Sequence, residues 1–348
     1  MWQRRSWIKT GLGLALMGAG ATPLQAQGLV PARRRQPVRV VVQNGEQIKQ
    51  LPLFLAHHLG YFVAEGLDVT LVPLPRHVQT LEAVLTLPAD VFAGSFERTA
   101  LLHARGQPSR AFVALAYAPQ VALGVSPAAL EPQAPLNDLV GARIGVSAHG
   151  SLSHRVAQLI LMRSGLKPTD VHYVEVPSAE AALAAFRSGA IEALSHTDPL
   201  ITGLEQRGMI RVVSDTRVLR QSQQVFGGSV ICACLSADER FLERQPEVVQ
   251  GLTNGVVRAL KWLQTATPMD LVNHLPAGAW WTDRALFLKA FTLSRDTLAP
   301  DGQIPDDAPL NVLRAMQRLA VHPPLELVSA AATYTNAFVS RARQQFKV

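Results

Sequence analysis

The segment from Val38 to Val72 restricts the fold of this 348-residue chain more than any other part of its sequence. It begins with Val38–Val42, a β-branched run of the kind that forms a buried parallel strand. A polar loop occupies 43–47, and a helix should begin near Pro52, because proline is tolerated in the first turn of a helix. Glycines end that helix and turn the chain into a second strand at 68–72. This strand–helix–strand order predicts an α/β protein with a parallel sheet.

The alternation of strands and helices continues along the chain and divides it into two units. A proline- and alanine-rich connector at 131–137 separates two successive α/β units of similar style. A helix is predicted at 79–86 in the first unit. From 247 onwards the sequence is mostly helical, and the last predicted helix covers 325–343. The pattern therefore predicts two lobes followed by additional helices.

The order of these units predicts a discontinuous first lobe. Lobe 1 would combine residues 38–120 with 227–348, and lobe 2 would comprise 121–226. The chain would cross between the lobes twice, near 117–125 and near 216–230. Paired crossings of this kind can act as a hinge that lets two lobes close around a ligand.

The first 26 residues have the pattern of an export signal. Arg4, Arg5 and Lys9 form a positive region, 11–21 is a short apolar region, and cleavage near Ala26 would follow small residues. The paired arginines also resemble the twin-arginine signal, so the general secretory route and the twin-arginine route are both open. Either route predicts a periplasmic protein.

The charge of the chain argues against nucleic-acid binding. Loss of the signal lowers the formal net charge from +7 to +4, and the run Arg33–Arg35 lies in a predicted N-terminal tail at 27–37. The folded part lacks clustered cations interleaved with aromatic residues, which nucleic-acid-binding surfaces need. We therefore expect no nucleic-acid partner.

The two cysteines, Cys232 and Cys234, predict buried thiols. Their spacing of two residues in a strand-like run places them on one face, where a disulfide would be strained. Partners at metal-ligand spacing are lacking, so neither a metal nor a cofactor is predicted.

Four segments resemble the periplasmic solute-binding proteins of ABC importers in the nitrate/sulfonate/taurine family. They are LAHHLGYFVAEGLDV at 55–69, DLVGARIGVSAHGSLSH at 138–154, FRSGAIEALSHTDP at 186–199 and LTNGVVRALKWLQ at 252–264. The resemblance implies a two-lobed α/β fold of the type II periplasmic-binding-protein kind, with a hinge and an interlobe cleft. It also implies a monomer that binds a small-molecule solute and meets an ABC transporter permease in the inner membrane.

The turn from His149 to His154 is the first candidate for solute contact. In open α/β sheets, ligands bind beyond the carboxyl ends of the strands. Gly150 and Ser151 open a helix there, and a helix N-terminus offers backbone N–H groups and a positive dipole to a carboxylate, sulfonate or phosphate. The alternative is simple N-capping by Ser151 or Ser153.

The turn at Ser195–Asp198 occupies the matching position in lobe 2. His196 and Thr197 are candidate ligand contacts. Asp198 precedes Pro199 and so has the pattern of a helix N-cap followed by proline. It could instead accept a hydrogen bond from an N–H or hydroxyl of a polar ligand.

Lobe 1 and the crossings supply further candidate contacts. These are Asn44, Glu46, Gln47, Gly94, Ser95, Phe96, Gln120 and Gly227. Glu46 and Glu97 would repel an anion and suit an amine, or they could be solvated residues at the sheet edge. No Lys or Arg falls obviously in these loops, so a strongly anionic ligand would depend on backbone dipoles alone.

Taken together, these patterns predict binding rather than catalysis. No G-x-S-x-G turn surrounds Ser151, and the chain has neither a P-loop nor a G-x-G-x-x-G after a strand. The predicted function is capture of a small organic anion or polar solute, sulfonate- or carboxylate-like, for an ABC importer. The alternatives are a binder of a pyrimidine or other heterocycle, as in thiamine-precursor relatives of this fold, an enzyme on the same fold, or a sensor.

Overall fold

The computed structural model describes residues 35–43, 47–74, 89–276, 278, 280 and 283–348. Within these residues the chain forms two five-stranded mixed sheets with helices packed against them. The predicted helix at 79–86 lies outside the described residues. Among the described helices, none is both long enough and apolar enough to cross a bilayer.

Sheet 1 has the strand order β2-β1-β3-β10-β4. Its strands are β1 Gln36–Val42, β2 Leu67–Pro73, β3 Val91–Gly94, β4 Ser109–Ala116 and β10 Ala233–Asp238. The valine-rich β1 pairs in parallel with both β2 and β3, which is the arrangement expected of a buried β-branched strand. β10 runs antiparallel between β3 and β4, so a late segment of the chain completes an early sheet.

Sheet 2 has the strand order β7-β6-β8-β5-β9. Its strands are β5 Val121–Val125, β6 Arg143–Val146, β7 His172–Glu175, β8 Ala193–Thr197 and β9 Arg211–Asp215. β6 is parallel to β7 and β8, whereas β5 is antiparallel to β8 and β9. The carboxyl ends of β6 and β8 therefore meet at the same edge of the sheet.

The strands of each sheet come from separate parts of the chain. Sheet 1 draws on residues 36–116 and 233–238, and sheet 2 on residues 121–215. The chain thus leaves sheet 1 after β4 and returns after β9. This membership supports the predicted division into lobe 1 and lobe 2, whose boundaries stay a prediction.

Thirteen helices are described around these sheets. They are α1 Leu51–His58, α2 Tyr61–Ala64, α3 Phe96–Ala104, α4 Leu152–Arg163, α5 Ala179–Arg187, α6 Leu200–Gln206, α7 Leu219–Phe226, α8 Glu239–Arg244, α9 Pro246–Thr265, α10 Pro268–His274, α11 Arg284–Ser294, α12 Ala308–Arg318 and α13 Ala337–Phe346. The predicted helix over 325–343 is wrong in its first half. There, Tyr334 bridges to Ala111 of β4 and the Thr335 N–H donates to the Ala111 carbonyl, so sheet pairing replaces the helix.

The longest helix, α9, explains how sheet 1 is covered. Its apolar residues recur on one face, as at Val249, Leu252, Val256 and Leu260, and all four are buried. This face packs against α1, α2, α13 and β4. Gly255 lets α9 approach α2 closely, because a Cβ atom there would lie 2.5 Å from the Phe62 ring.

The two cysteines are free and buried, which confirms the expectation of buried thiols. Burial raises the pKa of both thiols, to about 12 for Cys234 and further for Cys232. Both sulfur atoms are therefore protonated at neutral pH.

Replacement of Gly255 by alanine tests the close packing of α9. Gly255→Ala should lower the free energy of unfolding by about 1–3 kcal/mol, because the new methyl group meets the buried and rigid Phe62 ring. Gly203→Ala is the matched control: it also lies in a buried helix interior, but its Cβ would sit 3.4 Å from Leu286, an ordinary contact. The free energy of unfolding of Gly203→Ala should be up to about 1 kcal/mol higher than that of the wild type, because alanine has a higher helix propensity than glycine. Urea unfolding measures the free energy of unfolding of both variants. Equal values for the two would contradict the close packing of α9 on Phe62.

Candidate ligand-binding site

Residues beyond the carboxyl ends of strands from both sheets meet in a narrow gap. Its lining is Gln47, Ile48, Lys49, Pro119, Gln120, Thr197, Asp198 and Ser294. The first three follow β1, the next two belong to the crossing between β4 and β5, and Thr197 and Asp198 stand at the end of β8. Ser294 is the last residue of α11. This is the location at which open α/β sheets bind ligands, and we refer to it as the gap.

A wider depression lies at the opposite edge of sheet 1. Gln36, Asp90 and Asp238 line it together with Arg240 and Arg244. Gln36 begins β1, Asp90 directly precedes β3 and Asp238 ends the antiparallel β10, so this depression lies at the amino ends of the parallel strands. We therefore assign the candidate site to the gap despite its smaller size.

Sequence reasoning missed four residues that line the gap, namely Ile48, Lys49, Pro119 and Ser294, and Lys49 is the charged one among them. It follows Gln47 by two residues, just beyond the predicted loop, and its side chain is only 4% exposed. No described residue accepts a hydrogen bond from it or forms an ion pair with it. Burial lowers the pKa of Lys49, although the nearby Cys232 and Glu97 act in the opposite direction. The predicted loops contain no Lys or Arg, but Lys49, two residues beyond the first of them, brings a basic side chain to the gap.

Two further polar groups of the gap have unused hydrogen-bonding capacity. Gln47 Oε1 and Ser294 Oγ are buried, and neither has a partner among the described residues. The same is true of His196 Nε2, on the strand residue that precedes Thr197. Buried polar atoms in native proteins are nearly always hydrogen-bonded. Gln47 Oε1 and Ser294 Oγ, which line the gap, could therefore bond a polar ligand there.

Gln120 lines the gap from the first crossing, where the backbone adopts an unusual conformation. Its φ angle is 57°, in the left-handed region that residues with side chains seldom occupy. The side chain is buried, and its Nε2 donates to Thr297 Oγ1 at 2.9 Å. Backbone strain of this kind is maintained by the surrounding structure and concentrates at functional sites.

Three serine hydroxyls cluster at the N-terminus of α4. The Oγ atoms of Ser147, Ser151 and Ser153 lie 2.9–3.0 Å from one another, and Ser151 Oγ also caps the helix by accepting from the His154 N–H. The Ser153 carbonyl accepts from Ser195 Oγ at 2.8 Å. Because Ser195 and Thr197 are two residues apart in β8, they share a face of the strand. This serine cluster therefore lies close to the lobe 2 side of the gap.

An ion pair joins the helices that follow β3 and β6. Glu97, in the first turn of α3, lies 2.5 Å from Arg155 in the first turn of α4, and both side chains are mostly buried. Glu97 also acts electrostatically on Lys49. The repulsion of an anion that Glu97 was expected to cause is therefore offset by Arg155.

Asp198 is held by a buried arginine rather than left free for a ligand. Its two oxygens lie 3.0 and 3.2 Å from Arg217 Nη1, and Oδ1 accepts from the Thr202 N–H at 2.8 Å in the first turn of α6. Arg217 is 1% exposed and also binds Asp215. Burial alone would lower the pKa of Arg217, but its bonds to the two carboxylates raise it instead. Asp198 thus accepts from an N–H in the first turn of α6, but Pro199 rather than Asp198 occupies the N-cap position, so the predicted N-cap with proline at the first helical position is wrong by one residue.

His149 and His154 lie on the β7 side of their turn. His154 Nδ1 accepts from the Gly150 N–H at 2.9 Å, and its ring stands 4.3 Å from the ring of Tyr173. The His149 N–H donates to Glu175. Burial, together with the charges of His149 and Arg155, lowers the pKa of His154 to about 4. His154 is therefore neutral at pH 7.

The turn at Gly94–Phe96 is organised by the side chain of Gln43. Gln43 Oε1 accepts from the Ser95 N–H at 3.1 Å, and a Cβ atom at position 94 would lie 2.7 Å from that oxygen and 2.4 Å from the Phe92 ring. Phe96 is completely buried in the core. This turn therefore supports the site through its backbone and packing, and ligand contact by its residues stays a prediction.

The remaining predicted contacts lie away from the gap or outside the described residues. Gly227 is exposed and ends α7 in the left-handed conformation, with φ at 83°. Asn44 and Glu46 lie outside the described residues. Of the predicted contacts, Gln47, Gln120, Thr197 and Asp198 are brought together in the gap, whereas Ser151 belongs to the serine cluster and does not line it.

Comparisons with known proteins agree with this arrangement. Residues 47–268 match the family model described as NMT1/THI5 like. The fold and the position of the gap define a protein of the periplasmic-binding-protein kind, which confirms the predicted fold class. The chain belongs to the NMT1/THI5-like family. A search of curated protein sequences found no match.

Solved structures share the fold over most of the chain. A protein from Bordetella bronchiseptica RB50 is 36% identical, with 90% of this chain and 99% of that chain covered and a TM-score of 0.79. The periplasmic aliphatic sulphonate binding protein from Escherichia coli is 18% identical, with 82% and 87% covered and a TM-score of 0.62. The desulfurization enzyme DSZB is also 18% identical, with 90% and 100% covered and a TM-score of 0.63. At 18% identity the likeness establishes the shared fold alone, and both binding proteins and an enzyme use it.

Removal of Arg217 tests its role in holding the turn after β8. Arg217→Met should lower the free energy of unfolding by about 3–5 kcal/mol, because it leaves the carboxylates of Asp198 and Asp215 without their buried partner. Arg143→Met is the control, since the Arg143–Glu192 pair is largely exposed and already screened by water. Chemical denaturation should show a much smaller change in the control, and similar losses in both variants would contradict the assignment.

The low pKa of His154 predicts a loss of stability at acidic pH. In the unfolded chain this imidazole takes up its proton near pH ~6.5, whereas the folded protein holds it neutral down to about pH 4. The unfolded state therefore binds more protons in this window, and the free energy of unfolding falls as the pH is lowered through it.

Comparing denaturation midpoints at about pH 7 and pH 5 measures this effect. His154→Gln should lose less stability than the wild type over this interval, because glutamine does not titrate and can still accept from the Gly150 N–H. The exposed His172 supplies the control, and His172→Gln should keep the wild-type dependence. If the stability of His154→Gln depends on pH as strongly as that of the wild type, other groups cause the acid sensitivity.

Proposed function

We propose that the protein is an exported solute-binding protein that captures a small organic anion, sulfonate- or carboxylate-like, in the gap. The bound form would be presented to the permease of an ABC importer. The observation that carries the proposal is the convergence of polar groups from both sheets. Gln47 and Lys49 of lobe 1, Gln120 of the first crossing, Thr197 of lobe 2 and Ser294 of α11 all line the gap. The serine cluster is bonded to β8 two residues before Thr197, through Ser195.

The chemistry of these groups suits an anion with several oxygen acceptors. The first N–H groups of α4 have no acceptor within their own helix, and the helix dipole makes this end positive. The serine hydroxyls can turn to donate, and Lys49 adds a cation. A sulfonate or carboxylate group would accept hydrogen bonds from all three sources. Gln47 Oε1 and Ser294 Oγ would meet polar groups elsewhere on the solute.

Hinge closure would couple binding to delivery. The two crossings lie side by side, and the Glu97–Arg155 pair spans from the helix after β3 to the helix after β6. A solute that contacts both sides of the gap binds the closed arrangement more tightly than the open one, and this difference in affinity stabilises the closed arrangement. This mechanism requires no cofactor and no covalent step.

Export to the periplasm belongs to the same proposal. The positive and apolar regions of residues 1–26, with cleavage near Ala26, support it. The structural neighbour from Escherichia coli, a periplasmic aliphatic sulphonate binding protein, supports it as well.

Two alternatives receive less support from the gap. A heterocycle binder would be favoured by aromatic platforms, yet the residues that line the described part of the gap include no aromatic side chain. An enzyme would be favoured by an activated nucleophile, but burial raises the pKa of both cysteine thiols and keeps them protonated. A turnover assay with aryl sulfonates and sulfinates would decide the second alternative.

Thermal unfolding against a solute panel tests the proposal. The panel holds alkyl and aryl sulfonates, carboxylates, nitrate, amines and pyrimidines. A ligand at ~100 times its Kd adds about 2.7 kcal/mol to the free energy of unfolding, which appears as a raised midpoint. We expect a shift with one class of organic anion. No shift with any sulfonate or carboxylate, from protein that is folded and ligand-free, would contradict the proposal.

The serine cluster supplies a variant that separates binding from capping. Ser151→Ala should weaken the affinity for the responding anion by about 10-fold or more, because it removes a hydrogen bond to a charged group. Ser178→Ala is the matched control, since Ser178 caps α5 by accepting from the Ala181 N–H. Both variants should lose about 1 kcal/mol of stability through the lost cap. Isothermal titration should show weakened binding in Ser151→Ala alone, and equal affinities would exclude the cluster from the site.

A further inference from the structure

Lys49 is a buried cation without a counter-ion among the described residues. Its side chain is 4% exposed and lines the gap, and no described residue forms a hydrogen bond or ion pair with it. An ammonium group removed from water costs folding free energy unless an anion or several acceptors compensate. A buried Lys49 without a partner therefore lowers the free energy of unfolding of the unliganded protein. Residues that reduce stability in this way are characteristic of functional sites.

The described acidic groups near Lys49 are engaged elsewhere. Glu97, which acts on Lys49 electrostatically, lies 2.5 Å from Arg155. Asp198, across the gap, is bound by Arg217 and by the Thr202 N–H. Cys232 is a buried thiol that stays protonated. Arg98, which is buried beside the same pair and has Nε and Nη1 unbonded among the described residues, adds a further basic group, so Lys49, Arg98 and Arg155 face the single carboxylate of Glu97.

We propose that the Lys49 ammonium group is the charged anchor of the bound solute, forming a direct ion pair with its sulfonate or carboxylate group. This inference rests on the proposed function and names the residue that selects anions over neutral molecules of the same shape. The solute anion would supply the counter-charge that the described protein groups do not. The positive N-terminus of α4 would face the same anionic group.

Two substitutions at position 49 test the charge separately from the hydrogen bond. Lys49→Met keeps the length of the side chain and removes both the charge and the donors, whereas Lys49→Gln keeps a donor and removes the charge. Lys289→Met is the control, because Lys289 is exposed on α11 and carries the same charge. The probes are methanesulfonate, the larger sulfonate MOPS, acetate and benzoate. Methanesulfonamide and acetamide are the neutral partners of similar shape.

Isothermal titration and thermal unfolding of each variant give the readouts. Both variants at position 49 should bind the responding anion at least about 30-fold more weakly than the wild type, because they remove one member of a buried charge pair. Their affinity for the neutral partner should change by less than about 3-fold. Without ligand, Lys49→Met should unfold at the wild-type temperature or above it. Lys289→Met should bind like the wild type.

The possible outcomes are distinguishable. If the wild type binds a sulfonate or carboxylate and both variants at position 49 bind it equally well, the anchor assignment is overturned while the proposed function stands. If the variants lose binding but also unfold at a clearly lower temperature without ligand, Lys49 has a structural role and the assignment fails. If the wild type binds none of the anions, both the proposed function and the assignment fail.

Discussion

Two stretches of chain pass side by side between the sheets, and the hydrogen bonds between them determine the geometry of the gap. The Val121 N–H donates to Thr216 Oγ1 and the Thr216 N–H donates to the Val121 carbonyl, each at 3.0 Å. The next residue, Arg217, is buried and binds Asp215 at the end of β9 and Asp198 after β8. One guanidinium group therefore holds the second crossing and the turn that lines the gap, so the placement of Asp198 opposite Gln120 depends on it.

Arg217 and Lys49 are both buried cations, yet the protein treats them differently. Arg217 meets two carboxylates and the Thr202 hydroxyl, so its charge is compensated within the fold. Lys49 has no such partner among the described residues, and it borders the gap. A planar guanidinium with fixed donors suits a permanent structural junction, whereas a flexible ammonium group suits a ligand that comes and goes. Arg217 therefore belongs to the part of the site that stabilises the fold, and Lys49 to the part that is available to a solute.

Sequence reasoning located those parts of the site that are encoded locally. Ser151 was found because a Gly-Ser turn before a helix is visible in a few consecutive residues, and Asp198 because it precedes Pro199. Lys49 was missed because its loop was taken to end at Gln47, and neither a period nor a motif distinguishes a buried lysine from an exposed one. The helix predicted over 325–343 is wrong in its first half, where Tyr334 and Thr335 pair with Ala111, more than 200 residues earlier in the chain, and is confirmed from Ala337 onwards.

The sequence by itself determined the α/β class, the order of the units and the turns that follow β6 and β8. These features depend on short-range patterns, such as the alternation of β-branched runs with capped helices, and short-range patterns can be read from neighbouring residues. Only the tertiary structure decided which charges are compensated. Glu97, after β3 of sheet 1, meets Arg155, after β6 of sheet 2, and Asp198, after β8, meets Arg217, after β9 of the same sheet. The pairing of these charges depends on distance in space rather than on separation along the chain.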